Sequence, residues 1–277
     1  MLARSETHST PGDAAAPVDR YLKRYLERAP AALALWRSIE ARHFGSVPMP
    51  RPILDVGSGF GEFGRAFFEE KCDVGLDISR KDLNISIGES VYHNLVQGDA
   101  RRLPFSDRSF NTVMSVSVLE HIPDVLPFFG EAHRVLRPGG ALVFSVPLED
   151  MDSYMLFPPI ARSLGLGAVA SGYAKRVHKS FKHVNLHEPE WWLGPVRGAG
   201  FVIEQERRII SRTATRAFDL GLPTAMLSQS GRLARGRRAV WHPAPVVNAW
   251  ARVLRPLVER EEPPGDGSNL FVVARRR

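Results

Sequence analysis

Asp55-Val56-Gly57-Ser58-Gly59-Phe60-Gly61 is the stretch on which the reading of this chain turns. It follows the short apolar run Ile53 to Val56 and precedes a helical pattern from Glu62 to Glu70. Three glycines in five residues let a strand turn straight into a helix and let a ligand approach the backbone closely. Working outward, further apolar runs at Asp73 to Ile78, Val91 to Gln97, Phe110 to Val116 and Ala141 to Val146 alternate with helical stretches at about Arg80 to Ile87 and Val125 to Leu136. Strands alternating with helices predict a parallel sheet with crossover connections. Pro138-Gly139-Gly140 ends a helix and opens a strand. Glu188 to Ala199 reads as a further helix, and Phe201 to Ile210 and Asn269 to Ala274 as two last strands.

The flanks follow different rules. Residues 1–16 are rich in small and polar residues without a period, and read as a disordered leader. Residues 17–277 read as one domain. Within it, 17–46 hold two short helices broken at Pro30, expected to cap the ligand crevice. Residues 148–187 and 211–267 are far longer than ordinary connections and read as insertions serving binding. The first carries Tyr154, Met155, Leu156, Phe157, Leu164 and Tyr173, either a satellite core or an apolar lid.

Composition sets the outer limits. The 277 residues are 44% hydrophobic and 24% charged, ordinary globular proportions that exclude a disordered or collagen-like chain. One cysteine, Cys72, excludes an intrachain disulfide, a cysteine zinc site and an iron–sulfur cluster. No apolar run reaches a membrane span and residues 1–16 carry charges, so the expected setting is cytoplasmic. The net charge of +7 is local: residues 1–200 hold 23 basic and 23 acidic side chains, and 201–277 hold 14 and 7. Arg207 to Arg238 contains eight arginines and one acid, Asp219. Arg232, Arg235, Arg237 and Arg238 precede an apolar stretch bearing Trp241 and Trp250, so residues 207–258 are either a solvated face or a weak peripheral contact with an anionic membrane.

The glycine loop admits two ligand classes. Gly59, Gly61 and Gly64 fit the G-x-G-x-x-G spacing of dinucleotide binders. A diphosphate, however, wants the positive helix end free of acids, and Glu62 stands in that first turn with Asp55 below it. S-adenosylmethionine, which carries an ammonium and a sulfonium, suits those acids better.

From here the sequence resembles the class I S-adenosylmethionine-dependent methyltransferases, in the small-molecule, type 11-like branch. After the loop come Val74-Gly75-Leu76-Asp77, Gly98-Asp99-Ala100, Leu103 to Phe110 leading to Val118-Leu119-Glu120-His121, and Arg134 to Gly140, in the family's order. The resemblance is close over about residues 50–148. It implies an α/β fold, a doubly wound Rossmann-like sheet of seven strands in the order 3-2-1-4-5-7-6 with the last strand antiparallel. It also implies a cofactor site of Asp55, Gly57, Ser58, Gly59, Gly61, Asp77, Ile78, Asp99, Ala100 and Ser117. Asp77 would accept from the ribose hydroxyls and Asp99 from the adenine amino group. Separately, the acids could be a strand-end cap, a turn acid and an Asx turn. At the carboxyl ends of three successive strands they converge on one crevice.

The expected acceptor is a small molecule, free or glycan- or lipid-linked, most simply methylated on oxygen. A nucleobase amino acceptor calls for Asn or Asp before Pro-Pro-aromatic, and that position reads Ser117-Val118-Leu119-Glu120. A pyrimidine carbon needs a cysteine nucleophile, and Cys72 falls away from the crevice; both features argue against nucleic acid. His121 is a candidate base or only a helix-start residue. His178, His183 and His187 form a second group whose spacing places His183 and His187 on one helix face. The segment His183 to Leu186 matches a lid of the family, which makes His183 the other candidate base. No third ligand of recognisable geometry accompanies the histidines, so no metal is assigned. A nicotinamide oxidoreductase using the same loop, and a non-catalytic binding module on this fold, stay open.

Overall fold

A computed structural model describes residues 15–235, 242–261 and 263–277, with side chains at all of these except 15–16 and 228–235. The leader expected at 1–16 lies outside the described residues up to residue 14. Ala15 and Ala16 already belong to the first helix, a correction to that boundary.

The elements run α1 (Ala15–Leu26), α2 (Ala31–Gly45), β1 (Ile53–Val56), α3 (Glu62–Phe67), β2 (Cys72–Asp77), α4 (Arg80–Glu89), β3 (Tyr92–Gln97) and β4 (Phe110–Val116). After a 3-10 turn at Leu119–His121 come α5 (Pro127–Val135), β5 (Leu136–Pro147), α6 (Met151–Tyr154), α7 (Phe157–Ser163), α8 (Gly167–Phe181) and α9 (Pro189–Gly198). The chain closes with β6 (Phe201–Ile209), α10 (Arg212–Arg235), α11 (Ala244–Glu259) and β7 (Asn269–Arg276).

One sheet orders these strands β3-β2-β1-β4-β5-β7-β6. The pairs among β1 to β5 are parallel, and β7 runs antiparallel to both β5 and β6. This is the doubly wound Rossmann-like arrangement expected from the motifs.

Both faces of the sheet are covered, so its central strands are apolar on both sides. Along β5 the alternation is plain. Leu142, Phe144 and Val146 pack with Phe128, Phe129 and Ala132 of α5 and Trp192 of α9. Ala141 and Val143 face the other layer, with Leu35 and Ile39 of α2, Phe218 of α10 and Leu254 of α11. The N-terminal helices therefore contribute to the core on this face of the sheet. The break at Pro30 holds, since α2 begins at the next residue.

Three expectations shift. The α5 pattern extends to Leu136 in sequence, yet Leu136 opens β5 and pairs with Phe110 across an irregular register. Arg276 secures that ending by donating to the carbonyls of His133, Arg134 and Leu136. The two long insertions are helical, α6 to α8 and α10 to α11. Asp219, the single acid of the arginine-rich stretch, ties them together: it is buried and accepts from the amides of Leu156 and Phe157 and from the Tyr173 hydroxyl.

Candidate functional site

The glycine loop sits at the carboxyl end of β1, between the ends of β2 and β4. Gly57 and Gly61 have φ of +80° and +81°. At Gly57 a Cβ would stand 2.4 Å from both γ-carbons of Val118, so this turn accepts only glycine. The amides of Gly57 and Ser58 donate to the Leu76 carbonyl at 2.7 and 3.0 Å, fastening the loop to β2.

Asp77, at the end of β2, is the best placed of the expected ligands. Its Oδ2 accepts from the Gly59 amide and its Oδ1 from the Ser79 amide, each at 2.8 Å. One amide on each oxygen fixes the carboxylate plane and leaves lone pairs on both oxygens for further donors. Burial raises its pKa against the pull of those amides. Ile78 beside it is 68% exposed, an apolar face next to the crevice.

Other expected ligands are engaged elsewhere. Asp55 lies beneath the loop, buried, and accepts from the Tyr92 hydroxyl at 2.6 Å. Burial raises its pKa to about 6, with the Tyr92 bond opposing and Asp77 adding to the rise. Asp99 forms an Asx turn with the Arg101 amide and a two-oxygen pair with the Arg101 guanidinium, which lowers its pKa. Ala100 is buried beside it. Ser117 has φ of +48°, and its hydroxyl turns to Glu40 of α2. Cys72 is buried at the opposite end of β2, and burial pushes its thiol pKa far up.

The Asp55 shift yields a signed expectation. A carboxyl whose folded pKa is raised destabilises the fold progressively as pH climbs from about 4 to 6, and fully above that. Asp55→Asn keeps an acceptor for Tyr92 without the buried charge. The variant is expected to melt higher than wild type at pH 8, by on the order of 2–3 kcal/mol in stability, with the gain shrinking to nothing below pH 4. A wild type that is the more stable at pH 8 overturns this reading of Asp55.

At the mouths of β4 and β5, Glu40 is fully buried. Its Oε1 accepts from the hydroxyls of Ser117 and Ser145, and its Oε2 from Arg37 at 2.8 Å. Arg37 also reaches the Val116 carbonyl, so α2 is bolted to the mouths of β4 and β5. Sequence reasoning missed this group, as it did Tyr92. The only signal was Arg37 and Glu40, an Arg/Glu pair three residues apart on one helix.

Beyond it, the Glu120 carbonyl accepts from the amides of Val184 and Asn185, which lays the segment after α8 against the 3-10 turn. His121 and His183 thereby stack, with ring centroids 5.4 Å apart. His183 also faces His178, Nδ1 to Nδ1 at 3.1 Å, and His178 Nε2 lies 2.8 Å from Asp152. Burial lowers the pKa of His121 to about 4 and of His183 to about 3, and raises that of Glu120 to about 8. His187 is not part of this group. Residues 183–187 are not helical, so His183 and His187 share no helix face, and His187 stacks on Trp191 at 3.7 Å.

With this geometry in view, residues 54–144 match the model of a methyltransferase domain. A demethylmenaquinone methyltransferase of Tropheryma whipplei (strain Twist) is 34% identical over 116 residues, 40% of this chain and 47% of that protein. A malonyl-[acyl-carrier protein] O-methyltransferase of Marinomonas sp. is 37% identical over 99 residues, 34% of this chain and 37% of that protein. The matched segments thus span less than half of these relatives. Among solved structures, a SAM-dependent methyltransferase of Thermotoga maritima aligns with a TM-score of 0.57 at 16% identity, over 95% of this chain and 100% of that one. Residues 54–144 are thus similar to a methyltransferase domain, in a chain that has the fold of the S-adenosylmethionine-dependent methyltransferase class.

The residues present fit that class's donor. The Ser58 hydroxyl is buried under the loop with no partner among the described residues. Gly59, at φ of +53°, has nothing within 4 Å of where a Cβ would stand, so its backbone is open to a ligand. Gly57 to Gly61, Asp77 and Ile78 would hold the donor.

Proposed function

We propose that the protein transfers a methyl group from S-adenosylmethionine to a small-molecule acceptor, on an oxygen of a metabolite, sugar or lipid-linked intermediate. The observation that carries the reading is the anchored Asp77 carboxylate facing an open glycine loop, with the exposed Ile78 at its side. When bound, the donor supplies an already activated methyl group. The chain's task is then to align an acceptor, exclude water and accept a proton where the acceptor is a hydroxyl. His121 and His183 are the side chains proposed for that last step. Asp99 and Ser117 would contribute to the donor site through atoms not spent on Arg101 and Glu40, and Asp55 through its support of the loop.

The first insertion supports a lid over a partly apolar acceptor. Met155 and Tyr154 are buried, as a satellite core would have them, while Phe157, Ile160, Leu164 and Leu166 remain exposed on and around α7. A nicotinamide dinucleotide is disfavoured by the acid at the start of α3 and by that helix's length of six residues. A free buried thiol at Cys72 supports a reducing, cytoplasmic setting as part of the same proposal.

Calorimetry with S-adenosylmethionine tests the donor. Asp77→Ala is expected to weaken binding tenfold or more, since charge-assisted hydrogen bonds are worth about 1.5–3 kcal/mol each. Unchanged affinity removes Asp77 from the site, and tighter binding of NADH overturns the reading. Labelled-methyl transfer into fractionated cell extract then finds the acceptor.

Peripheral membrane contact through residues 207–258 belongs to the same proposal. Leu220 on α10 and Trp250 and Val253 on α11 are exposed, with Arg216 and Arg252 also at the surface. Arg237, Arg238 and Trp241 lie outside the described residues, and of Arg232 and Arg235 only the helical backbone is described. Co-sedimentation with anionic vesicles is expected at low salt and to weaken at physiological salt, each arginine near the surface contributing about 1 kcal/mol at most. Protein that stays in solution under both conditions makes this stretch a soluble face.

A further inference from the structure

Among the described residues, Glu120, His121 and His183 each bring a ligand-type atom to one place, all three atoms within 4.8 Å of one another. The hydrogen bonds around them determine what those atoms are. His121 Nδ1 lies 3.2 Å from the Lys182 carbonyl, which can only accept, so Nδ1 carries the hydrogen and Nε2 presents a lone pair. His178 Nε2 lies 2.8 Å from Asp152 Oδ1, a carboxylate oxygen that can only accept, so this nitrogen carries a hydrogen. His183 Nδ1 lies 3.1 Å from His178 Nδ1, which spends that nitrogen on His178 and leaves His183 Nε2 for a ligand.

Glu120 adds a third acceptor. It is 1% exposed, and its Oε2 has no hydrogen-bond partner among the described residues. Its Oε1 lies 3.7 Å from His121 Nε2, too far for a hydrogen bond. Three ligand-type groups thus converge, and a single proton shared among them could bridge only two. Arg37, whose charge is felt at Glu120, is already paired with Glu40. Both imidazoles also have their other nitrogen held by an oxygen or a carboxylate-bound ring, the arrangement that orients histidine on a metal.

We propose that Glu120, His121 and His183 bind a divalent transition-metal ion of the zinc type, with open coordination positions toward the acceptor side of the crevice. Two imidazoles and one carboxylate suit zinc, iron(II), cobalt(II) or manganese(II), whereas magnesium and calcium prefer oxygen alone. Metal–ligand bonds of about 2.1 Å would draw the three atoms inward by about an ångström at most. Asp152 and His178 are positioning residues, since they act only through His183. Given the transfer reaction proposed above, on which this part rests, the open positions would receive an oxygen of the acceptor. Val118, two residues from Glu120, packs on Gly57, so the ion would sit close to the donor loop. Sequence reading saw no third ligand because Glu120 and His121 meet His183 only when the segment after α8 docks on the 3-10 turn.

The test uses the full chain, freed of metal by chelation and dialysis, with zinc chloride as calorimetric probe and cobalt chloride as spectroscopic probe. Wild type is expected to bind one equivalent and to give cobalt the intense visible absorption of a four- or five-coordinate site. His183→Gln and Glu120→Gln are each expected to weaken binding at least tenfold and to abolish that absorption. Asp152→Asn, which leaves all three ligands in place, is expected to weaken zinc binding about 10- to 100-fold. S-adenosylmethionine affinity of each metal-free variant is measured alongside. It is expected to be unchanged, which verifies folding and separates failure of the metal site from failure of the donor site. Absence of a stoichiometric site in wild type, or zinc and cobalt binding unaltered in His183→Gln and Glu120→Gln, overturns the proposal.

Discussion

Turnover of His183→Ala on the true acceptor is expected to fall about 10²- to 10⁴-fold, the range for losing a positioned proton-transfer group. S-adenosylmethionine affinity is expected to stay intact. His183 stands where α8 ends against the 3-10 turn, stacked between His121 and Phe181 and hydrogen-bonded to His178. None of these contacts touches the glycine loop, so the loss should appear in kcat and not in donor binding. His121→Ala is expected to behave alike. Full rates in both single variants would place proton transfer elsewhere. The same loss is expected if the two rings hold an ion instead of taking the proton directly, and the zinc and cobalt measurements separate these roles.

Glu40→Ala is expected to cost about 3–5 kcal/mol of stability, the range for removing one partner of a buried ion pair. The substitution leaves Arg37 without its carboxylate and two buried hydroxyls, Ser117 and Ser145, without an acceptor. It also cuts the tie between α2 and the carboxyl ends of β4 and β5, so the acceptor side should loosen with it. Urea unfolding that shows a lower midpoint at unchanged slope would support the expectation. Glu40→Gln, which keeps an acceptor for the serines, should cost clearly less. A loss below about 1 kcal/mol for Glu40→Ala would mean that water replaces the carboxylate at little cost.

The elements of the sheet were legible because their causes are local. Ile53 to Val56, Val91 to Gln97 and Phe110 to Val116 are short runs bounded by turn signals, and that length and flanking favour strands over helices. Glycine at 57 and 61 marks positive φ for a reason the residue itself carries. The boundary at Leu136 was less legible. Its apolar period continues that of α5, and only pairing with Phe110 turns it into a strand.

The chemistry divides along the same line. By itself the sequence determined the alternation of strands and helices, the glycine turn and the acid at the end of each of the first strands. These depend on residue type, period and spacing along one segment. Tertiary structure alone decided which acids face the crevice. Asp77 is held open by the amides of Gly59 and Ser79, while Asp55 turns under the loop to Tyr92 and Asp99 closes on Arg101. It also decided that Glu40 would reach across to β4 and β5, that Asp219 would join the two insertions, and that Glu120, His121 and His183 would converge while His187 went to Trp191. Asp99 with Arg101 and His187 with Trp191 are local pairs, but the ties of Asp55, Glu40, Asp219 and His183 rest on contact between segments tens to more than a hundred residues apart. No local period encodes such a contact; it appears only when the packed core brings the segments together.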